Sequence, residues 1–258
     1  MQWRLDEWCY DSITIAKRSG LAAGEVHVWC VRPADVPLDD LVRWRNWLTR
    51  EERNRCERFV FEELRRDFVI TRWLVRSTLS RYLPIAPEDW RFEPNEHGRP
   101  HVATPAGRDL HFNLSHTDGL IVCVLADCYE VGIDVEQVTR RSRTLAIADR
   151  FFSPSEVEAL RRLPVARQAE RFFQYWTLKE SYIKARGMGL RLPLDQFSFD
   201  LSAPADDIRI AFGVSIDDDP GRWQFGLFRP APLYQLAVAV ARRPAGRSFL
   251  FADALGPY

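Results

Sequence analysis

Alternating apolar and polar positions predict β-strands in both halves of the 258-residue chain, and a longer period predicts helices between them. Residues 25–31 alternate with the two-residue period of a strand, which turns successive side chains to opposite faces. Residues 38–83 and 145–185 show helical spacing, and Ser-Pro-Ser-Glu at residues 153–156 indicates a helix start. Polar residues 115–119 are expected to form a turn. Further strands are predicted at residues 90–92, 110–114, 120–126, 131–136, 196–201, 207–212, 223–228 and 235–240.

The order of these elements predicts two similar halves. Each half runs from a strand through helices to further strands, and the change-over falls near residues 127–131. A chain of 258 residues has room for two domains of ordinary size. We therefore predict an α+β protein with an N-terminal extension at residues 1–24, an N-terminal lobe at 25–128 and a similar C-terminal lobe at 129–258.

Composition argues against several classes of protein. The 36 basic residues balance 36 acidic residues, so no overall positive field attracts nucleic acid or an anionic membrane surface. The sequence has no apolar run long enough to span a bilayer and no charged-then-apolar signal peptide, so we expect a cytoplasmic protein without a membrane partner. The five cysteines are scattered without a C-x-x-C pair, which favours buried thiols over a zinc or disulfide framework.

Two short segments carry the strongest chemical signal. A G-I-D-V-E sequence at the end of an apolar strand places Asp134 and Glu136 on one face. A helical W-T-L-K-E-S-Y-I-K-A sequence places Glu180 and Lys184 one turn apart. If the segments pack together, three carboxylates and an ammonium meet, and a hard divalent cation such as magnesium would relieve the repulsion. Magnesium in such sites commonly shares phosphate oxygens, which indicates phosphoryl chemistry.

Each segment also has an ordinary interpretation. The two acids of the strand alone would suit a solvated sheet edge, although the preceding Gly132 permits a close backbone approach. The helical Glu–Lys pair alone would suit an exposed face of the helix. Trp176 and Ile183 would then form the opposite face, which packs against the core. The chain has only three lysines against 33 arginines, however, and two of them, Lys179 and Lys184, lie in this helical segment.

Further polar groups precede these segments along the chain. Asn113, Ser115 and His116 offer amide, hydroxyl and imidazole groups that suit phosphate oxygens, although a capped turn is the alternative interpretation. Arg99 is expected at the apex of a Gly-Arg-Pro turn. The alternative interpretation of this segment is an ordinary solvated turn. No G-x-S-x-G elbow and no H-E-x-x-H motif occurs, which disfavours a serine hydrolase and a zinc enzyme.

The motifs also follow one another in a particular order: G-R-P at 98–100, F-N-L-S-H at 112–116, G-I-D-V-E at 132–136, F-F-S-P-S-E at 151–156, W-T-L-K-E-S-Y-I-K-A at 176–185 and G-x-G-L at 187–190. This set resembles the Sfp-type 4′-phosphopantetheinyl transferases over about residues 25–240. The resemblance implies transfer of the 4′-phosphopantetheine arm of coenzyme A to a serine of an apo acyl or peptidyl carrier protein, with release of adenosine 3′,5′-bisphosphate. It also implies magnesium or manganese, a pseudo-two-fold pair of α+β lobes with the active site at their interface, and a monomer.

The resemblance also implies roles for single residues. The implied metal ligands are Asp134, Glu136 and Glu180. The implied contacts to coenzyme A are Lys184 at the pyrophosphate, His116 at the phosphates, and Asn113, Ser115 and Arg99 at the nucleotide end. Glu180, or a water held by Glu136, is implied as the base for the carrier serine.

This chain departs from the family pattern in its basic helical segment. Glu52 stands where relatives often have a lysine, and Arg55 is the better-matched cation. Arg66 or Arg53 could then supply the contact to the 3′-phosphate of coenzyme A. Residues 1–24 lie outside the resemblance.

Two other functions stay open at this level. A magnesium-dependent hydrolase of a nucleotide or phosphoester would use the same carboxylates, but it would form product without any carrier protein. A carrier-binding module without catalytic activity is the second alternative. The presence of all three acids and Lys184 argues against it.

Overall fold

The structure is a computed structural model, and it describes residues 21–138, 144–189, 192–202 and 207–255. Most of the predicted N-terminal extension, residues 1–20, lies outside the described residues. No described helix is both long enough and apolar enough to cross a membrane. The helices and strands are, in chain order, β1 (Glu25–Val31), α1 (Leu38–Arg45), α2 (Arg50–Glu57), α3 (Glu62–Ser80), β2 (Phe92–Pro94), β3 (Pro100–Val102), β4 (His111–Thr117), β5 (Leu120–Ala126), β6 (Val131–Gln137), α4 (Thr144–Phe151), α5 (Pro154–Arg161), α6 (Val165–Arg186), β7 (Phe197–Asp200), β8 (Arg209–Phe212), β9 (Trp223–Phe228), β10 (Tyr234–Ala241) and β11 (Ser248–Asp253).

The N-terminal lobe is a four-stranded sheet with helices packed on one face. The strand order is β11-β1-β5-β4, in which β1 runs antiparallel to β5 and parallel to β11. Helix α3 supplies the centre of the core between the sheet and α1, where Trp73 stacks on Trp44 with 4.0 Å between ring centroids. The strand β1 is buried over almost its whole length, because both of its faces are covered.

The C-terminal lobe repeats this plan with a three-stranded sheet in the order β6-β10-β9. Helix α6 lies across it and buries Leu178 and Tyr182 completely among the aromatic side chains of the lobe. The helix ends at Gly187, whose φ of 63° lies in the left-handed region that glycine adopts without strain. The prediction of an α+β protein with two similar lobes is therefore confirmed.

The two sheets pack face to face, and their neighbouring edges are joined by side chains. The apolar faces of β1, β5, β6 and β10 form one shared core between the lobes. Along the edge, Asn113, Ser115 and Thr117 of β4 accept hydrogen bonds from the backbone N–H groups of residues 133, 135 and 137 of β6, at 3.1, 3.3 and 3.2 Å. Three polar side chains thus occupy the place that a paired strand would fill with its carbonyl groups.

A cap and a buried cation recur in both lobes. Helices α2 and α5 each begin with a capping box in which the third helical residue is a glutamate, Glu52 or Glu156. Glu52 accepts a hydrogen bond from Arg76 of α3, 24 residues away, at 2.8 Å. Glu156 forms an ion pair with Lys179 of α6, also at 2.8 Å. The pseudo-two-fold relation of the lobes is therefore visible at the level of single side chains.

Several predicted boundaries are corrected by the structure. The strand predicted at 110–114 continues through Thr117, so the turn expected at 115–119 shrinks to Asp118 and Gly119. The polar residues there belong to a strand because they bond to β6. The strand predicted at 90–92 starts two residues later, at Phe92.

The last strand also crosses the predicted division of the chain. Strand β11 was not predicted, and it lies in the N-terminal sheet beside β1 although it follows the whole C-terminal lobe. The division of the chain between residues 128 and 129 stays a prediction. Strand β11 does not follow it, because β11 belongs to the N-terminal sheet. Cys30, Cys56 and Cys123 are buried free thiols, as predicted, and Cys128 is partly buried.

Candidate active site

The two segments singled out in the sequence pack directly against each other. A Cβ atom on Gly132 of β6 would lie 2.1 Å from the carbonyl oxygen of Ser181 and 2.4 Å from the backbone nitrogen of Ala185. The helix backbone therefore occupies the space that any other side chain would need. The two segments, whose contact the sequence analysis could only suppose, therefore meet through a close approach at Gly132.

Lys184 joins the strand, the helix and the N-terminal lobe at one point. Its Nζ donates to Asp134 Oδ1 at 2.6 Å and to Ser115 Oγ at 2.9 Å. Ser115 Oγ in turn donates to Asp134 Oδ1 at 2.9 Å. Asp134 is nearly fully buried, whereas the Lys184 side chain keeps 28% of its surface exposed. An ammonium with access to solvent thus stands at the junction of the two lobes.

Two glutamates face the same junction from β6 and α6. Burial, and after it the negative charge of Asp134, raise the pKa of Glu136 to about 7 against the opposing effects of the Trp176 hydrogen bond and of Lys184. Burial and then Asp134 also raise the pKa of Glu180, against the charge of Lys184. The three acids therefore repel one another, as the sequence predicted, and one ammonium is not enough to offset the effect.

The prediction for Trp176 is only partly confirmed, because its ring packs against the core of the C-terminal lobe but lies on the same stripe of α6 as Glu180. Trp176, Glu180 and Lys184 are spaced by four residues and form one partly exposed stripe of α6, whereas Ile183 is buried. The indole N–H of Trp176 donates to Glu136 Oε1 at 3.2 Å. Trp176 was assigned to the core because it is aromatic, yet its polar edge bonds an acid of the site.

The three acids do not form a complete metal site by themselves. Among the residues that the structure describes, no three His, Cys, Asp or Glu side chains are arranged to hold a metal ion. Lys184 engages one oxygen of Asp134, and Trp176 engages Glu136. The other oxygen of Asp134, Oδ2, is buried without any hydrogen-bond partner. A buried, unpaired carboxylate oxygen beside two further acids suits a hard cation that takes its remaining ligands from phosphate and water.

The predicted phosphate-binding groups of β4 lie on opposite faces of that strand. Asn113 and Ser115 face β6 and are buried, and Asn113 Oδ1 is already used by the N–H of residue 133. His116 points to the other face and is exposed. There it lies within electrostatic range of Asp67 of α3. The strand therefore brings Ser115, but not His116, into contact with Lys184 and Asp134.

Arg99 does not lie at the exposed apex of a turn, where the sequence had placed it. It is only 8% exposed, and its guanidinium donates four hydrogen bonds to backbone carbonyls of α6 and of the segment that enters β6. The acceptors are Lys184, Ala185, Tyr129 and Val131, at 2.8–3.0 Å. Arg99 therefore clamps the short β2–β3 hairpin onto the end of the active-site helix.

The basic residues of the N-terminal helices do not converge on the carboxylates. Arg55 is exposed and its guanidinium carbon lies 5.8 Å from the centre of the Phe68 ring. Arg66 is partly exposed and lies 3.8 Å from Asp67. Glu52 accepts ion pairs from Arg72 at 3.1 Å and Arg76 at 2.8 Å. Glu52, which stands where the resemblance implied a lysine, is thus neutralised by two arginines of α3.

Sequence patterns missed two contributors to this region. Trp176 was recognised only as apolar, although a tryptophan one turn before Glu180 could have signalled a donor at the site. Lys179 was noted only because lysine is rare, and its partners come from distant segments that no local pattern shows.

Comparison with known proteins agrees with this geometry. The family model described as the 4′-phosphopantetheinyl transferase superfamily matches residues 130–241, and the model of the 4′-phosphopantetheinyl transferase N-terminal region matches residues 37–128. The chain is 39% identical over 171 residues to 4′-phosphopantetheinyl transferase HetI of Nostoc sp., covering 66% of this chain and 72% of the relative.

Two Bacillus proteins match over more of their length. The chain is 33% identical to 4′-phosphopantetheinyl transferase Sfp of Bacillus subtilis, covering 80% of this chain and 89% of the relative. It is 31% identical to 4′-phosphopantetheinyl transferase psf-1 of Bacillus pumilus, covering 81% and 88%. The fold, the site and these matches define an enzyme of the transferase class. The chain belongs to the 4′-phosphopantetheinyl transferase family.

Proposed function

We propose that this enzyme transfers the 4′-phosphopantetheine arm of coenzyme A to a serine of an apo acyl or peptidyl carrier protein and releases adenosine 3′,5′-bisphosphate. The observation that carries the proposal is the contact of the partly exposed Lys184 ammonium with buried Asp134 and Ser115 at the lobe junction. The similarity to proteins named 4′-phosphopantetheinyl transferase supports the choice of substrate.

In this reaction the serine oxygen forms a bond to the β-phosphorus of coenzyme A. The bond from that phosphorus to the bridging oxygen breaks, and the nucleotide leaves with the extra negative charge. Lys184 is suited to bind the pyrophosphate and to stabilise the charge that develops there, because a fixed cation needs little reorganisation. Ser115 and Asp134 would hold its ammonium in place during the transfer.

The residues that would hold magnesium, or manganese, are Asp134, Glu136 and Glu180. The unpaired Oδ2 of Asp134 and the raised pKa values of both glutamates support this assignment. A bound divalent ion would supply Lewis-acid polarisation of a phosphate oxygen.

Glu180 is the base that the geometry favours for the carrier serine. No described residue forms a hydrogen bond with its side chain, so its carboxylate is available to accept the proton of the serine. Glu136 is already bonded to the indole of Trp176. A water held by Glu136 is the alternative base.

The nucleotide end would lie along the N-terminal lobe. His116 is exposed and suited to a phosphate contact, and Asn113 and Ser115 line the same strand. Arg99 would act there through the hairpin that it fixes, and Arg55, Arg66 or Arg53 would supply a cation for the 3′-phosphate. The ion pairs of Glu52 support this, because that acid is neutralised before a phosphate approaches.

The test is a direct assay of the transfer. The chain is incubated with coenzyme A, magnesium and an apo carrier protein, and the carrier is weighed by mass spectrometry while adenosine 3′,5′-bisphosphate is measured. We expect a gain of one phosphopantetheine arm on the carrier, and an equal amount of nucleotide product. Nucleotide release without a carrier would identify a hydrolase instead, and no mass gain with several carriers would refute the proposal.

A single substitution tests the acidic site. Glu180→Ala should abolish transfer and leave the fold intact, as judged by circular dichroism and urea unfolding. Glu158→Ala is a matched control, because that glutamate is 64% exposed on α5 and its ion pair within the described part of the chain is with Arg162. Full activity of Glu180→Ala would contradict the assignment of this residue.

We further propose that the enzyme acts in the cytoplasm as a monomer whose lobes divide near residues 128 and 129. The shared core between the lobes supports a monomer, because one chain supplies both halves of the junction. Gel filtration with light scattering tests it, and a stable dimer would contradict it.

A further inference from the structure

Lys179 is a buried lysine that the proposed reaction does not use. Its side chain is fully buried in the C-terminal lobe. Its ammonium donates to the backbone carbonyls of Leu194 at 2.7 Å and Phe197 at 2.5 Å, and it pairs with Glu156 Oε2 at 2.8 Å. It therefore cannot touch a phosphate, although it directly precedes Glu180.

Glu156 extends this contact to two further elements. Its Oε2 also accepts hydrogen bonds from the backbone N–H of Ser153 at 3.1 Å and from the Ser153 hydroxyl at 2.9 Å. Its Oε1 accepts from the backbone N–H of Phe199 of β7 at 3.0 Å. The start of α5, the strand β7 and the middle of α6 are thus joined through one buried ion pair whose polar atoms are all bonded.

The chemistry of the site explains why a lysine is used here. Three oxygen atoms surround the Lys179 ammonium, which matches its three N–H donors, whereas a guanidinium spreads five donors in a flat fork. The Phe197 ring centre lies only 4.3 Å from Nζ and limits the space. The corresponding pair of the N-terminal lobe uses Arg76, whose partner Glu52 keeps 18% of its side chain exposed.

The buried pair also controls which way α6 faces. Successive residues of an α-helix are rotated by about 100°, so a side chain fixed at one position sets the direction of its neighbours. Lys179 faces the core, and Glu180 and Lys184 lie on the partly exposed stripe that faces β6. A rotation or shift of α6 would move both groups together.

We propose that the Lys179–Glu156 pair is a positioning device of the active site, which fixes the rotation of α6 so that Glu180 and Lys184 meet Asp134. The expected effect of the pair on the transfer reaction rests on the proposed function. Its expected effect on the orientation of α6 rests on the fold alone. Lys179 and Glu156 are positioning residues, because they act through the helix and do not touch the reacting groups.

The experiment compares Lys179→Arg and Glu156→Gln with Ile210→Ala. Both test variants keep a polar group of similar size, and Ile210 is a buried residue of β8 in the same lobe core that contacts neither member of the pair by a polar bond. For each variant we measure the urea unfolding midpoint, kcat and KM for coenzyme A, and hydrogen exchange of residues 172–186. All kinetics are measured where each variant is fully folded.

We expect Lys179→Arg and Glu156→Gln to lower kcat roughly 10- to 100-fold, with a smaller change in KM, because small misplacements of catalytic groups act mainly on the transition state. Hydrogen exchange should accelerate in α6 but not in α3. Ile210→Ala should lose stability yet keep its kcat near that of the wild type.

Three results would overturn the inference. The first is that the folded test variants keep the kcat of the wild type. The second is that Ile210→Ala, at the same stability as the test variants, loses as much kcat as they do. Unchanged exchange of α6 in both test variants would overturn it without any reference to transfer. A wild-type enzyme that modifies no carrier would refute the proposed function instead, and the exchange measurement would still test whether the Lys179–Glu156 pair fixes α6.

Discussion

Replacing Gly132 by alanine should damage both the stability of the enzyme and its active site. The added Cβ would lie 2.1 Å from the carbonyl oxygen of Ser181 and 2.4 Å from the nitrogen of Ala185. Real Cβ contacts are essentially never shorter than 3.0 Å, so the strand and the helix would have to separate by about 0.9 Å. Both clashing groups belong to the backbone of α6, so no side chain can rotate away.

The magnitude follows from that separation. Overpacking of this kind costs about 1–3 kcal/mol, and the rigid helix backbone places this case at the upper end. The 2.6 Å bond between Lys184 and Asp134 spans the same contact, and a shift of this size would stretch it to about 3.5 Å, the outer limit of a hydrogen bond. Because misplacement by about 1 Å can lower a rate about 100-fold, we expect a loss of that order in kcat.

The assay pairs urea unfolding with the rate of carrier modification for Gly132→Ala and Gly221→Ala. Gly221 is a matched control, because it is exposed and its added Cβ would meet only the flexible side chain of Asp219, at 3.3 Å. The control should stay within about 0.5 kcal/mol of the wild type. If Gly132→Ala is as stable and as active as the control, the close approach of β6 and α6 does not constrain the site.

Three other substitutions test separate contacts. Burial opposes the ionisation of Asp218, but hydrogen bonds from Tyr182 and Trp223 and the charge of Arg186 outweigh burial and lower the pKa of this carboxyl. The stability that the ionised carboxylate provides should therefore be complete above the ordinary aspartate pKa of about 4, and it should be lost as the pH falls below that value. Asp218→Asn should therefore cost about 2–4 kcal/mol at pH 7 and flatten the acid limb of a urea-unfolding series, and an unchanged limb would contradict this. Ser115→Ala should lower kcat and weaken the edge contact by about 1 kcal/mol, as measured by kinetics and urea unfolding, and unaltered kinetics would count against its contact with Lys184. Arg99→Lys should cost about 2–3 kcal/mol in the same unfolding assay, since an ammonium cannot reach four carbonyls, and wild-type stability would show that the clamp is dispensable.

The regular elements were predictable because their periods are set by local geometry. Strands β1, β5 and β9 have the bounds that the sequence predicted, since both ends of each strand are marked by turn residues. The end of β4 was not predictable in this way. Ser115 and Thr117 are polar because they bond to the edge of β6, and a pattern of polar residues at a strand end is also typical of a turn.

The candidate site was predictable only as far as spacing along one element determines it. The shared face of Asp134 and Glu136 follows from the strand period, and that of Glu180 and Lys184 from the helix period. Arg99 and Lys179 could not be assigned, because their acceptors are mostly backbone carbonyls of segments far away in the sequence. A carbonyl group leaves no signature in the sequence, since every residue has one.

Strand β11 has a consequence for how the protein is made. Glu25 of β1 pairs with Ser248, which is 223 residues further along the chain. On the ribosome, the N-terminal sheet must therefore wait for nearly the whole chain before its outer strand can join it, whereas β4 and β5 can pair much earlier. The backbone groups of β1 that face β11 lack their partners during that interval, so this edge is open to unwanted strand pairing. The N-terminal sheet is thus completed by β11, the last of the described strands, which is synthesised after the C-terminal lobe.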